Sequence, residues 1–270
     1  MEYDNNNTSE IDIEEDLLRR KAERAAAKKK RLVKVFFRYL LLFIVLDVIG
    51  LCVASIFKKN NEKYENVPVP EAITEFVEKY PEAAEYADNY GKYHAKDLKM
   101  DVSSEMKDRD IPLFIQWDKR WGYKDYGSGY IGTSGCGPTC IAMVACGLLD
   151  DKTINPYEVA KYSDEEGFYI QGQGTSWSLM TEGAKHYGIK GEGGKISAKY
   201  IKKNLSEDTP LICSMKPGDF TTSGHFIVLT GFDEDGLVIV NDPNSRNNSD
   251  KHWEVDVLVS QMKGIWKYSR

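Results

Sequence analysis

The spacing of apolar positions changes along this chain, and each spacing predicts a different element. From Tyr39 to Phe57 the apolar residues run on without interruption, "YLLLFIVLDVIGLCVASIF", with Asp47 as the single charge among nineteen residues. At about 1.5 Å per residue the run spans roughly 29 Å, close to the hydrocarbon core of a bilayer, so it predicts a transmembrane helix. From Ile73 onward the spacing becomes helical, with Ile73, Phe76, Val77 and Tyr80 on one face, until Pro81 interrupts. A second short helix is expected from Glu82 to Tyr90, stopped by Gly91. Beyond residue 110 the patterns mix. "CGPTCIAMVACGLL" predicts a helix, with Ser134 or Gly135 as its cap and Pro138 in its first turn. "NPYEVAKYSDEEG", "SWSLMTEGAKHYG" and "KYIKKNLSEDT" predict three more helices. "PLICSM", "HFIVLTGF" and "LVIVNDP" are short runs rich in Val, Ile, Leu and Phe and predict strands, while "IPLFIQWD" is a short strand or an extended lead-in. Helices followed by an antiparallel strand set make the fold class α+β.

Charge sharpens the membrane reading. The net charge is −6, but residues 1–16 carry seven acids and no base, and residues 17–38 carry ten bases and one acid. Ten bases before the apolar run against three just after it (Lys58, Lys59 and Lys63) put the N-terminus in the cytoplasm and everything after the run outside. Residues 58–270 carry −7, which leaves no electrostatic footprint for nucleic acid. The expected organisation is a cytoplasmic charged tail (1–38), a transmembrane helix (39–57), a stalk with short helices (58–109) and one folded domain (110–270). Other readings of the apolar run fit less well. It exceeds the roughly 7–15 residues of a signal-peptide core. Leu51 is bulky before Cys52 for a lipoprotein signal, and no polar face marks a buried core helix. Asp47 could pair with a partner helix or be tolerated through local water, and it carries no assigned role.

The last two predicted strands form a hairpin around "DEDG". If Phe232 pairs with Leu237, Asp242 lies opposite Ile227, and His225 shares its face as a diagonal neighbour. A slip of one residue would separate them onto opposite faces.

Five cysteines are present, and Cys136 stands out because glycines flank it where a helix begins, in "TSGCGPTC". A thiol at a helix N-terminus faces the positive end of the macrodipole, which favours the nucleophilic thiolate. The flanking glycines would let a substrate backbone approach. A histidine backed by a carboxylate supplies a base and its orienter, which makes Cys136, His225 and Asp242 a candidate constellation. The free N–H groups at the helix start could bind an oxyanion, with the Gln116 side-chain amide as second donor. Alternatives remain for the thiol. A Cys136–Cys140 disulfide would distort the helix, zinc needs more Cys or His ligands nearby, and a buried thiol is a common fate. That last reading is the first choice for Cys146 and Cys213, and Cys140 is expected to face the core. The loop "NDPNSRNNSDKHW" lacks EF-hand spacing and reads as a polar loop beside the site. "GFYIQGQGTSW" could line a cleft or merely connect two elements.

Four stretches in order, "IPLFIQWD", "SGCGPTC", "SGHFIVLTGF" and "NDPNS", resemble cysteine peptidase family 39, the bacteriocin-processing, double-glycine-type peptidases with a papain-like fold. The resemblance covers about residues 110–268. It implies that Cys136 is the nucleophile, His225 the base, Asp242 the orienting acid and Gln116 the oxyanion-hole glutamine, with no cofactor and no metal. The best-known members are domains of peptide-exporting ATP-driven transporters and work in the cytosol. Here there is no Gly-rich nucleotide-binding loop, and the domain is expected outside, so the leader-peptide substrate does not carry over. The expected function is a membrane-anchored extracellular thiol peptidase acting on a peptide or protein. The same machinery could instead transfer the acyl group to an amine, as a transpeptidase does. A non-catalytic peptide- or cell-wall-binding module is the third reading.

Overall fold

The computed structural model describes residues 6–65 and 67–270. The chain divides into two compact units, Met1–Glu65 and Asn66–Arg270. The principal elements are numbered below in chain order.

The first unit is a single helix, α1 (Asn6–Glu65). Its segment Lys28–Val53, with a mean hydropathy of 2.3, is long and apolar enough to cross a membrane. Phe36, Phe43 and Leu51 are among the large apolar side chains exposed along it. An apolar surface all round a helix needs an apolar surrounding, which this unit does not itself provide.

The second unit begins with α2 (Glu71–Lys79), a 3₁₀ turn (Pro81–Ala83) and two short helical turns, Ala84–Asp88 and Tyr90–Tyr93. Gly91 lies inside the last of these and does not stop it, because the turn is too short for one glycine to break. The apolar face of this segment does not stand free. Ile73, Phe76, Ala83, Tyr86 and Tyr90 are buried in one cluster with Ile115, Trp117 and Tyr123. Tyr86 stacks on Tyr123 at 4.7 Å, donates to the Gly122 carbonyl at 2.6 Å, and accepts at its own carbonyl from the Tyr123 hydroxyl at 2.7 Å. The residues from 71 to 93 are thus part of the same packed body as the sheet.

Then come α3 (Cys136–Leu149) and α4 (Pro156–Glu165), whose cap Asn155 accepts from the Tyr157 and Glu158 N–H groups. The expected third helix is split. Trp177–Met180 is 3₁₀ and Glu182–His186 is α-helical, and the segment closes at Gly188 with a positive φ of 75°. The remaining principal elements are β1 (Lys190–Gly193), α5 (Ala198–Asn204), β2 (Leu211–Met215), β3 (His225–Phe232), β4 (Val238–Asn241), β5 (His252–Trp253), α6 (Val255–Gln261) and β6 (Met262–Ser269), with a five-residue helical turn, Arg246–Asp250, between β4 and β5. The strands form a six-stranded sheet, ordered β1-β6-β2-β3-β4-β5, in which every neighbouring pair is antiparallel.

This is the expected α+β arrangement, and both faces of the sheet are covered. Ile212, Phe226, Val228 and Trp266 pack with Ile141 and Val144 of α3. Leu211, Cys213, Ile227 and Leu229 pack with Ile201 of α5 and Leu258 of α6. The period-two alternation of β2 and β3 sorts their side chains between these two cores. Strands buried on both sides read as continuous apolar runs, which "HFIVLTGF" shows.

Candidate active site

Helix α3 starts at Cys136, with Gly135 as its cap in a non-helical conformation (φ −89°, ψ 21°). The flanking glycines have a packing reason. A Cβ on Gly135 would lie 2.6 Å from the Ile131 carbonyl oxygen, and one on Gly137 would lie 2.6 Å from the Thr175 side chain. The room that sequence reasoning reserved for a substrate backbone is filled by the protein itself. Thr175 is held in turn by the Tyr126 hydroxyl at 2.8 Å. The glycines let the turn before α3 and the Gly174–Thr175 strand close around the thiol.

His225 opens β3 and Asp242 follows β4. Near the site the pairing is the one worked out from sequence, with Val228 opposite Asn241 and Leu229 opposite Val240. Towards the turn it shifts by one, to Gly231 opposite Ile239 and Phe232 opposite Val238. Phe232 therefore pairs with Val238 and not with Leu237, and the irregularity between Leu229 and Gly231 restores the expected register beside the site. His225 Nε2 and Asp242 Oδ1 are 2.7 Å apart.

Asp242 is fully buried and well provided with donors. Oδ1 also accepts the Asn244 N–H at 2.9 Å, and Oδ2 accepts Asn248 Nδ2 at 2.9 Å. Its own N–H donates to Ser249 Oγ at 2.9 Å. Such a carboxylate cannot rotate away from the ring without stranding several groups. Burial alone would push the His225 imidazole down. The Asp242 carboxylate and the contact with the Cys136 side chain override this and hold it well above the ordinary histidine range. With Nε2 on Asp242, Nδ1 is the ring nitrogen left for the sulfur.

Cys136 and His225 line one cleft of about 430 Å³. The turn before α3 forms one wall, and the start of β3 another. Gly172 to Thr175 and Trp177 form a third, so the "GFYIQGQGTSW" stretch does line the cleft. Trp177 is 47% exposed and meets the buried Trp266 edge-on at 5.1 Å, which backs this wall of the cleft with the core. Lys263 also borders it.

Gln116 is placed differently. It is 2% exposed, its Nε2 donates to the Gly132 carbonyl at 2.9 Å, and its Oε1 has no hydrogen-bond partner among the described residues. Its backbone N–H donates to the Pro243 carbonyl at 2.7 Å, so it sits beside the Asp242 segment. The structure thus brings Cys136, His225 and Asp242 together, and holds Gln116 under the turn that leads into α3.

The other thiols of this unit are buried. Burial pushes the Cys146 thiol up to about 12, and those of Cys140 and Cys213 also well above the usual range. Cys136 is only partly buried.

Sequence reasoning missed Asn248 and Ser249 as supports of Asp242. A signal existed, since Ser245 precedes them as a cap and accepts the Asn248 N–H at 3.0 Å.

Residues 109–270 match the Peptidase_C39 like family. No curated protein matches the chain significantly. Among solved structures, the chain is similar to a double glycine motif protease from an AMS/PCAT transporter, crystallised in complex with the leader peptide. Identity is 18%, covering 59% of this chain and 92% of that chain, with a TM-score of 0.39.

Proposed function

Because the chain belongs to the Peptidase_C39 like family over residues 109–270, we propose that it is a membrane-anchored, extracellular cysteine peptidase with Cys136 as nucleophile. Family membership supports a cysteine-peptidase type of activity. The observation that carries the finer reading is the buried His225–Asp242 pair, 2.7 Å apart, on the same cleft as the partly exposed Cys136.

His225, kept protonated beside Asp242, holds Cys136 as a thiolate. The sulfur attacks a substrate carbonyl carbon, and the carbonyl π pair moves to oxygen. The N–H of Cys136, at the start of α3, and the second N–H of the Gln116 amide stabilise the oxyanion. As the tetrahedral intermediate collapses, His225 gives its proton to the departing amine and a thioester remains. His225 then takes a proton from water, hydroxide attacks the thioester, and the acid product leaves with the thiolate restored. Trp177 and the glycines of the 172–174 turn would contact the peptide backbone or an apolar side chain.

The anchor is the apolar run 39–57, which overlaps the candidate span Lys28–Val53, and the ten bases of residues 17–38 before it favour a cytoplasmic N-terminus. Protease shaving of intact cells that leaves residues 66–270 untouched would defeat the extracellular placement.

The experiment for activity is incubation of the full-length protein in detergent with a mixed peptide library, read by mass spectrometry. Cys136→Ala and His225→Ala are the controls. New N-termini formed by the parent alone are the expected result. Hydroxylamine traps the thioester of either chemistry as a hydroxamate, whereas an added peptide amine ligated to the acyl group in place of acid release identifies acyl transfer. A parent that cleaves nothing and forms no hydroxamate would leave a binding module.

A further inference from the structure

One side chain outside the family-matched region reaches the site through a short relay. Glu82, half-buried in the 3₁₀ turn Pro81–Ala83, accepts three hydrogen bonds from the segment after Asp242. Ser245 Oγ donates to its Oε2 at 2.6 Å, and the N–H groups of Arg246 and Asn247 donate to its Oε1 at 2.7 and 3.2 Å. The same loop carries Asn248, which donates to Asp242 Oδ2 at 2.9 Å, and Asp242 bonds His225 at 2.7 Å. The loop is fastened from other sides too. Trp117 Nε1 donates to the Asn244 carbonyl at 3.2 Å, and the Arg246 guanidinium lies 4.5 Å over the Trp117 ring. Glu82 takes the first two N–H groups of the helical turn Arg246–Asp250, and the cap Ser245 takes the third.

We infer that Glu82 is a positioning residue for the His225–Asp242 pair, so that the segment joining α1 to the peptidase domain is a working part of the site. This rests on the triad reading. Three observations support it. The segment is tied down by its own core, with Ile73, Phe76 and Tyr86 buried against Ile115, Trp117 and Tyr123. A second hydrogen bond joins it to the His225 side of the fold, from Tyr80 to Thr221 at 3.4 Å. Glu82 and Asp242 line one cavity of about 330 Å³, whose other charged members are Lys79 and Asp219. A carboxylate accepting three donors fixes the loop where a neutral, singly bonded group would let it turn. Released, Asn248 would swing off Oδ2, and Asp242 would lose the partner that keeps it in plane with the imidazole.

The test uses the full-length chain in detergent with 13C- and 15N-labelled histidine. The chain has four histidines, and the His225 ring is assigned by its loss in His225→Ala. Glu82→Ala should move the His225 titration midpoint downward and slow Cys136 alkylation at pH 6 by about tenfold, the scale of a small misplacement. Glu82→Gln keeps Oε1 for the two N–H groups and can bond Ser245 through its nitrogen, so it should recover the parent to within about twofold. A merely structural glutamate would lower the unfolding temperature and leave the His225 midpoint in place. Should Glu82→Ala fail to fold, Asn248→Ala cuts the relay at its other end and should give the same downward movement. A His225 midpoint unmoved in both variants overturns the inference. If the parent thiol never alkylates at low pH while Glu82→Ala still moves His225, the triad chemistry fails and the positioning stands.

Discussion

Asp242→Asn separates charge from geometry at this site. Asp242 is fully buried and receives three donors, from His225, Asn244 and Asn248. Alanine would strand all three at about 1–3 kcal/mol each. That is comparable with a whole domain's stability of about 5–15 kcal/mol, so such a variant reports little beyond unfolding. Asparagine fits the same space. Its oxygen can take the place of Oδ1, facing His225 and the Asn244 N–H, and its nitrogen the place of Oδ2. Asn248 then flips its own amide and accepts. What is lost is the negative charge. A hydrogen bond to a charged group is worth about 1.5–3 kcal/mol against about 0.5–1.5 for a neutral one, so the expected loss is about 1–2 kcal/mol. For a folded unit of this size that lowers Tm by about 2–8 °C.

The sign of the pH dependence follows from His225. Its folded pKa is raised, so the pair's contribution is fully present below the unfolded value of about 6.5 and is lost as pH rises through the folded value. In Asp242→Asn burial dominates and pushes the ring the other way. The deficit should therefore be largest at pH 6 and shrink steadily towards pH 9. Tryptophan-fluorescence melting of the full-length protein measures this. A Cys136→Ala background removes the sulfur's share. A deficit equal at both pH values, or absent at pH 6, would refute the view that Asp242 holds His225 as an imidazolium.

Gly137→Ala should cost about 1–3 kcal/mol, because its Cβ would lie 2.6 Å from a Thr175 side chain already bonded to Tyr126. The same melting assay reads it, and Thr175→Ala in the same chain should return part of the loss. Tyr86→Phe removes a buried donor from the Gly122 carbonyl and should cost about 1–2 kcal/mol, which a free-standing segment would not show. Trp177→Ala should lower Tm by no more than about 4 °C, since about half of the ring is exposed, and should raise KM for a cleaved peptide more than it lowers kcat.

Much of the site was legible because its geometry is local. A cysteine at a helix start and a hairpin that sets a histidine diagonal to a carboxylate both follow from short-range periodicity. The hairpin also shows how such reasoning succeeds for a partly wrong reason. The assumed turn pairing was off by one residue, and an irregularity near Thr230 restored the register where it mattered. Non-local features were not legible. β6 follows α6 with no turn residue between them and lies between β1 and β2, strands from two earlier parts of the chain. Ile73, Phe76, Val77 and Tyr80 announced an apolar face, but not that Trp117 and Tyr123 belong to the cluster covering it. Nothing in the sequence links Glu82 to a loop more than a hundred residues away. For Gln116 only the residue type at a suitable place was legible, while the bond to Gly132 depends on how two segments meet.

The most direct measurement is the pH profile of thiol alkylation in the full-length protein in detergent. Iodoacetamide would be titrated from pH 4 to 9, with the modified peptides mapped by mass spectrometry, for the parent, Cys136→Ala and His225→Ala. Within residues 66–270, Cys136 should react alone and already near pH 6, because Cys140, Cys146 and Cys213 are buried. His225→Ala should abolish the reaction at pH 6 and retain it only at alkaline pH. If Cys136 reacts no faster at pH 6 than a free thiol, or is indifferent to the loss of His225, the site is not an activated Cys–His pair and the peptidase account is wrong.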